Sequence, residues 1–191
     1  MSEIRYIISD LDGTLVDTFE ANFQAYRTVF ARHGLDLTEA AYRRAFGLKI
    51  DDLCRELGFA LDEETVKKIK TEKAECYPSF FRYLKCNTAL LEFYRAFARQ
   101  GGHLALATTA SRKNVQNVLE HIGAVGVFEF LITGEEVKHG KPDPECFLLA
   151  RDRWQAPTES ILIFEDSDVG IMAAERAGFA VVRIGSAFYG N

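Results

Sequence analysis

Short runs of β-branched and aromatic residues, each stopped by a turn signal and followed by a helical pattern, recur along most of this chain. The first covers residues 4–9 and halts at Asp10-Leu11-Asp12-Gly13; residues 103–107, 128–132, 161–164 and 180–184 repeat the type. Helical patterns over residues 113–121, 144–154 and 169–177 lie between them, the last closed by Gly178 just past its end. Strands alternating with helices of this length point to βαβ units, in which parallel strands are joined by right-handed crossovers. The alternation therefore predicts an α/β fold built on a doubly wound, Rossmann-like parallel sheet.

Residues 18–85 break the alternation. No convincing strand occurs there, and apolar residues recur at helical spacing, as in Phe23, Tyr26 and Phe30, then more weakly in Val66, Ile69 and Lys73. Gly34, Gly47 and Gly58 divide the stretch into helices, and Pro78 disrupts the last one. Tyr77, Phe80, Phe81 and Tyr83 crowd its end and read as core packing. The expected division is an α/β core from residues 1–17 and 86–191, interrupted by a helical insertion over 18–85. With 191 residues, 48% of them hydrophobic, the chain is long enough for one such core and a modest insertion.

Charge excludes two broad classes of partner. Lys and Arg number 23 against 28 Asp and Glu, a net charge of −5, so neither a nucleic-acid surface nor an anionic membrane surface is expected. Cys54, Cys76, Cys86 and Cys146 are scattered without a C-x-x-C pair, which fits reduced thiols in a cytoplasmic protein better than a zinc site or a disulfide scaffold. Glu3 and Arg5 place charges inside what would be a signal peptide, and no apolar run is long enough to span a bilayer.

Chemistry concentrates at the ends of the predicted strands. Asp10 and Asp12 close the first; in extended chain, residues two apart face the same side, and ligands of doubly wound sheets bind beyond the carboxyl ends of the strands. A bare D-x-D-G reads simply as a turn. The longer stretch Asp10-Leu11-Asp12-Gly13-Thr14-Leu15-Val16-Asp17-Thr18 resembles the first motif of the haloacid dehalogenase-like hydrolases, most of which are phosphatases. Thr108-Thr109 after residues 103–107 is similar to that family's second motif. Gly140-Lys141-Pro142-Asp143-Pro144 looks like its third, and Glu165-Asp166-Ser167-Asp168-Val169-Gly170 like its fourth, although Ser167 or Asp168 can equally cap the helix that follows. The helical insertion matches the position of the family's small α-helical cap. Gly134 to Lys141 superficially resembles a nucleotide-binding loop, but its glycines enclose five residues and Pro142 stands where Ser or Thr is needed, so that reading is rejected.

The resemblance implies a Mg²⁺-dependent phosphatase acting on a small phosphorylated metabolite. Asp10 is then the nucleophile that becomes phosphorylated and Asp12 the general acid and base. Thr108 and Thr109 hold the transferring phosphoryl group, Lys141 neutralises nucleophile and phosphate together, and Asp10, the Asp12 carbonyl and Asp166 hold Mg²⁺. Electrostatics makes the cations necessary: a carboxylate approaching a phosphate dianion meets about 4 kcal/mol of repulsion per charge pair at 4 Å in a medium of effective dielectric near 20. Two departures from the family pattern stand out. The chain ends at Asn191, where many relatives continue with a strand and helix, so the sheet edge is expected to be trimmed or covered differently. Asn22 occupies the position at which the phosphoglucomutase branch has a His contacting the acid/base Asp, which argues against the alternative of a sugar-phosphate mutase of the β-phosphoglucomutase type. A dehalogenase would leave Asp12 and the Glu165-Asp166 pair unexplained. A receiver-like signalling domain, which binds partners instead of turning over substrate, would make the insertion awkward. In the insertion, Arg43, Arg44 and Lys49 flank Phe46-Gly47 and read as a solvated helix face, with a role toward substrate as the alternative.

Overall fold

The computed structural model describes residues 3–185 and residue 189. The chain forms two compact units, one running up to Asp17 and resuming at Lys85, the other covering Thr18–Leu84. In chain order the elements are β1 (Tyr6–Ser9), β2 (Val16–Asp17), α1 (Phe19–Arg32), α2 (Glu39–Ala45), α3 (Ile50–Glu56), α4 (Glu63–Cys76), β3 (Lys85–Cys86), α5 (Thr88–Arg99), β4 (His103–Ala107), α6 (Arg112–His121), β5 (Phe130–Ile132), α7 (Glu145–Trp154), β6 (Ile161–Glu165), α8 (Asp168–Arg176) and β7 (Ala180–Arg183).

Among the described residues the first unit holds a five-stranded sheet in the order β5-β4-β1-β6-β7. β1 pairs in parallel with both β4 and β6, Ser9 standing level with Leu106 on one side and Phe164 on the other. The chain builds the sheet outward from β1 in one direction and then returns to build it in the other, so the carboxyl end of β1 lies at the reversal of strand order where such sheets bind ligands. Ile7, Ile8 and Ser9 are all buried, as a central parallel strand covered on both faces requires. Ile8, Ala107, Ile132 and Ile163 pack with Phe147 of α7 and Ala173 of α8 in one continuous apolar core. At the β5 edge, the Arg112 guanidinium donates to the Leu131 carbonyl at 3.3 Å, a charged plug on an otherwise open strand.

The α/β class follows the sequence reading, with differences of physical interest. β5 begins at Phe130 and not at 128; Phe128, just before it, is buried and meets the Tyr94 ring edge-on, centroids 5.9 Å apart. β2 and β3 form an antiparallel pair, Val16 opposite Cys86, of two residues each, too short to leave a periodic trace. Helix α5 has no counterpart in the sequence reading. Asn87 caps it, accepting from the Leu90 N–H at 3.1 Å, and Leu90, Leu91 and Tyr94 face the interior. These three share one face at helical spacing, so the period is present in the sequence.

The second unit is helical. Phe23, Phe30, Leu37, Tyr42, Leu53 and Ile69 form its core. Thr38 and Asp62 cap α2 and α4, and Gly34, Gly47 and Gly58 each take a positive φ at a helix end. Pro78 opens a 3-10 turn over Tyr77–Tyr83, in which Tyr77 and Phe81 are buried while Phe80 and Tyr83 are half-buried, in keeping with core packing. All four cysteines are free. No helix among the described residues is long and apolar enough to cross a membrane. The expected trimming beyond the last strand falls, apart from Ile184, Gly185 and Tyr189, outside the described residues.

Candidate active site

Asp10 is the first residue past β1. Its N–H still donates to the Phe164 carbonyl at 2.9 Å, so the backbone carrying this carboxylate is held by the sheet itself. The side chain is 7% exposed, and its Oδ1 accepts from the Lys141 ammonium at 2.5 Å. Lys141, also buried, donates a second time to Glu165 Oε2 at 2.6 Å and a third to the Ala107 carbonyl at 3.3 Å. A lysine that sequence alone would leave in solvent thus bridges the ends of β1, β4 and β6. The loop that delivers it is tied locally. Glu145 at the start of α7 accepts from the Lys138 and His139 N–H groups, and Arg176 of α8 donates to the Pro142 carbonyl at 2.8 Å.

Glu165 and Asp166, adjacent in sequence, occupy different settings. Glu165 is 1% exposed. Its Oε1 accepts from the Asp166 and Ser167 N–H groups and from the Ser167 hydroxyl, and its Oε2 is taken by Lys141. Ser167 also caps α8, accepting from Gly170 N–H at 3.1 Å. Gly170 is required there, because a Cβ would stand 2.1 Å from the Glu165 carboxyl carbon. Asp166 is half-buried; its Oδ1 accepts from the Thr14 hydroxyl at 3.0 Å and its carbonyl from Arg183 at 3.0 Å. Gly13, at φ +95°, brings the turn after Asp12 so close that a Cβ would lie 2.1 Å from Asp166 Oδ2.

Negative charge is in excess here. Burial, and after it the Glu165 charge, push the Asp10 carboxyl well above its ordinary range, with Lys141 pulling the other way. Burial and Glu165 likewise raise Asp166, to about 6. Burial would raise Glu165 too, but Lys141 and the Ser167 bonds outweigh it and hold this carboxyl low. For Lys141 the desolvation that would discharge an ammonium is overcome by Asp10 and Glu165, which keep it charged.

Asp12, half-buried, accepts from the Thr108 hydroxyl at 3.2 Å, and Thr108 in turn accepts from the Ala110 N–H at 3.1 Å. Gly134 passes so near the Thr109 carbonyl that a Cβ would sit 2.2 Å from its oxygen, so this glycine serves backbone packing at the second motif. Asp10, Asp12, Thr108, Lys141 and Asp166 therefore meet at one end of the sheet. Sequence reasoning missed Tyr189. Its hydroxyl is buried with no hydrogen-bond partner, and burial together with the Asp166, Asp10, Asp17 and Asp12 charges raises its phenol far above the ordinary value. No motif or period marks this residue.

In the helical unit, Arg43 pairs with Glu39 at 2.6 Å and lies over the Phe19 ring, and Arg44 donates to the Ala40 carbonyl at 3.2 Å; both are exposed. Lys49 is half-buried beside α3. Asn22 is buried, and its side-chain carbonyl accepts from the Lys73 ammonium at 2.6 Å. Lys73 is 4% exposed and stands 3.7 Å from the centre of the Tyr77 ring, a buried cation on the face that the weak helical pattern of Val66, Ile69 and Lys73 marks.

Asp10, Glu165 and Asp166 each offer a carboxylate oxygen within 4.8 Å of one another. Both Glu165 oxygens already accept from donors, whereas Asp10 Oδ2 is buried with no hydrogen-bond partner. An orphaned oxygen in an all-oxygen, net-negative cluster suits a small hard cation such as Mg²⁺, with Asp10 and Asp166 as the carboxylates able to take part.

Comparison with known proteins agrees in fold and in extent. A phosphorylated carbohydrates phosphatase of Thermotoga maritima is 33% identical over 177 residues, 90% of this chain and 81% of that protein. Fructose-1-phosphate phosphatase YqaB of Escherichia coli (strain K12) is 29% identical over 182 residues, 93% of this chain and 95% of that one. The crystal structure of CbbY from Rhodobacter sphaeroides in complex with phosphate matches with a TM-score of 0.85 and 26% identity, covering 98% of this chain and 89% of that one. The family model of the haloacid dehalogenase-like hydrolases matches residues 7–184, which takes in every strand of the sheet, the helical unit between them and the residues gathered at its end. The chain belongs to the haloacid dehalogenase-like hydrolases.

Proposed function

We propose that this protein is a Mg²⁺-dependent phosphatase that hydrolyses small phosphorylated sugars and related metabolites through an aspartyl phosphate on Asp10. The observation that carries this reading is the buried Lys141 bridging Asp10 and Glu165, which leaves Asp10 Oδ2 orphaned and pointing to no protein donor. An Asp10 carboxylate oxygen attacks phosphorus. As it does so, the bond to the ester oxygen breaks, and the departing alkoxide takes a proton from Asp12. Asp12, now ionised, accepts a proton from water, whose oxygen attacks the aspartyl phosphate and releases orthophosphate and the Asp10 carboxylate. Thr108 holds Asp12 in line through its hydroxyl, and the Thr109 N–H is the group read as orienting the phosphoryl oxygens. Lys141 offsets the charge of nucleophile and phosphate, since phosphoryl transfer depends on positioning and electrostatics. Mg²⁺, held by Asp10, the Asp12 carbonyl and Asp166, would add positive charge against the phosphoryl oxygens.

The names of the relatives, a phosphorylated carbohydrates phosphatase and a fructose-1-phosphate phosphatase, support sugar phosphates as the substrate class. Residues 18–84 are read as the family's helical cap, on the strength of where they enter the chain. The test is Asp10→Asn, assayed with Mg²⁺ on a panel of sugar phosphates. This change keeps the shape and removes the attacking oxygen, so orthophosphate release should fall to background. Retention of more than about a tenth of wild-type kcat, a loss under about 1.4 kcal/mol, rejects the mechanism.

A further inference from the structure

Against the Asp10 backbone carbonyl lies a buried relay that the mechanism above does not use. Tyr94 of α5 is fully buried, and its hydroxyl donates to Ser9 Oγ at 2.8 Å. Ser9, also 0% exposed, donates its own hydroxyl proton to the Asp10 carbonyl at 2.6 Å. We infer that Tyr94 is a positioning residue for the nucleophile, acting through Ser9 on the Asp10 peptide. The inference rests on the reading of Asp10 as nucleophile.

The argument begins with the end of a strand. Inside β1 the carbonyls are satisfied by the neighbouring strands. At Asp10 the chain leaves the ladder, and its carbonyl needs a partner in a place water does not reach. The Ser9 hydroxyl provides one, but a serine hydroxyl rotates freely and can donate in more than one direction. Tyr94 removes that freedom by occupying a lone pair of Ser9 Oγ, so the serine proton is directed to the Asp10 carbonyl, and a chain of two hydrogen bonds strengthens each of its members. Tyr94 itself has little freedom to follow. Its ring meets Phe164 and Phe128 edge-on, with centroids 5.6 and 5.9 Å away.

With its N–H bound to the Phe164 carbonyl and its C=O to Ser9, Asp10 has both of its backbone polar groups fixed. The direction in which its Cα–Cβ bond leaves the chain is then fixed too. An attacking oxygen must approach phosphorus in line, and misplacement by about 1 Å can cost on the order of a hundredfold in rate. A satisfied peptide at this position thus has a consequence beyond stability, and it is imposed from a helix that contributes no group to the substrate side.

The experiment compares wild type, Tyr94→Phe, Ser9→Ala, the double variant and Ser9→Thr, with Asp10→Asn alongside, using p-nitrophenyl phosphate and Mg²⁺. Tyr94→Phe and Ser9→Ala should each lower kcat/KM about tenfold, while competitive inhibition by orthophosphate stays within about twofold of wild type. The double variant should be no worse than the poorer single one, because either change breaks the same relay. Ser9→Thr, which keeps the hydroxyl, should recover most of the activity. Losses that multiply in the double variant, weakened orthophosphate inhibition in step with the lost rate, or wild-type kcat/KM in Tyr94→Phe each overturn the inference. Thermal unfolding of every variant separates misfolded protein, and should Ser9→Ala not fold, the pair Tyr94→Phe and Ser9→Thr still decides. Substantial activity in Asp10→Asn instead rejects the nucleophile itself, so the two failures are distinct.

Discussion

Lys141 and Asp10, separated by 131 positions in the sequence, meet at 2.5 Å in a pocket where both side chains are more than nine-tenths buried. An ion pair placed so deep is weak evidence for stability, since desolvation consumes much of the attraction. Breaking it is another matter, because Glu165 depends on the same ammonium.

Lys141→Met keeps the aliphatic stem and removes the charge from between two buried carboxylates. Urea unfolding at pH 7 should show a loss of about 3 kcal/mol or more, together with background phosphatase activity. The destabilisation should shrink near pH 5, where the stranded carboxylates can protonate. A variant within about 1 kcal/mol of wild type at pH 7 contradicts this account of the pair.

Gly170→Ala sets two effects of known size against each other. Alanine is favoured over glycine inside a helix by about 1 kcal/mol, and Gly170 lies within α8. The added Cβ, however, would fall 2.1 Å from the Glu165 carboxyl carbon, and Glu165 is pinned by Lys141 and Ser167. Overpacking costs about 1–3 kcal/mol, so net destabilisation and reduced kcat are expected, in contrast to a stabilising glycine-to-alanine change in an open helix. Increased thermal stability with full activity would show that Glu165 is not held in this place.

Asp166 gives a pH dependence with a definite sign. Its carboxyl is raised from the ordinary 3.8 to about 6 by burial and by the Glu165 charge. A raised carboxyl favours the protonated folded state, so its contribution is fully present below pH 4 and is lost as pH climbs through about 6. In EDTA, the stability difference between wild type and Asp166→Asn should therefore move against wild type between pH 4 and pH 7, leaving the asparagine variant more stable at pH 7 by about 1 kcal/mol. Mg²⁺ should raise the Tm of wild type and leave Asp166→Asn nearly unchanged. Equal Mg²⁺ stabilisation of the two proteins removes Asp166 from the cation site.

The proposal of a hydrolase over a sugar-phosphate mutase rests in sequence on Asn22, which stands where the phosphoglucomutase branch has a His. The Asn22 side-chain carbonyl accepts from Lys73, and an amide cannot carry a proton near neutral pH as a histidine can. With β-glucose 1-phosphate and a trace of the 1,6-bisphosphate, orthophosphate should be released with little glucose 6-phosphate. Isomerisation a hundredfold faster than phosphate release establishes the mutase instead.

The alternation of strand and helix, the helical insertion and the four motif segments are legible in sequence because each is local. A strand reads as a β-branched run ended by Asp or Gly, and the D-x-D-G-T stretch carries its meaning within a few consecutive residues. Helix α5 carries a clear helical period in Leu90, Leu91 and Tyr94 that the sequence reading passed over, whereas β2 and β3 escape it because two residues make no pattern. Glu165 and Asp166 look equivalent side by side in the chain. Alternation of side chains at the end of β6 sends one down onto Lys141 and leaves the other beside Thr14. Lys73 shows in the sequence only as part of a weak helical pattern and Tyr189 shows not at all; one is buried with Asn22 and Tyr77 against its ammonium, and the hydroxyl of the other is buried where it feels the carboxylate charges. Tertiary structure alone decided these partnerships: burial and electric field at a side chain are set by what the sheet order and the helix packing bring near it, often from more than a hundred residues away.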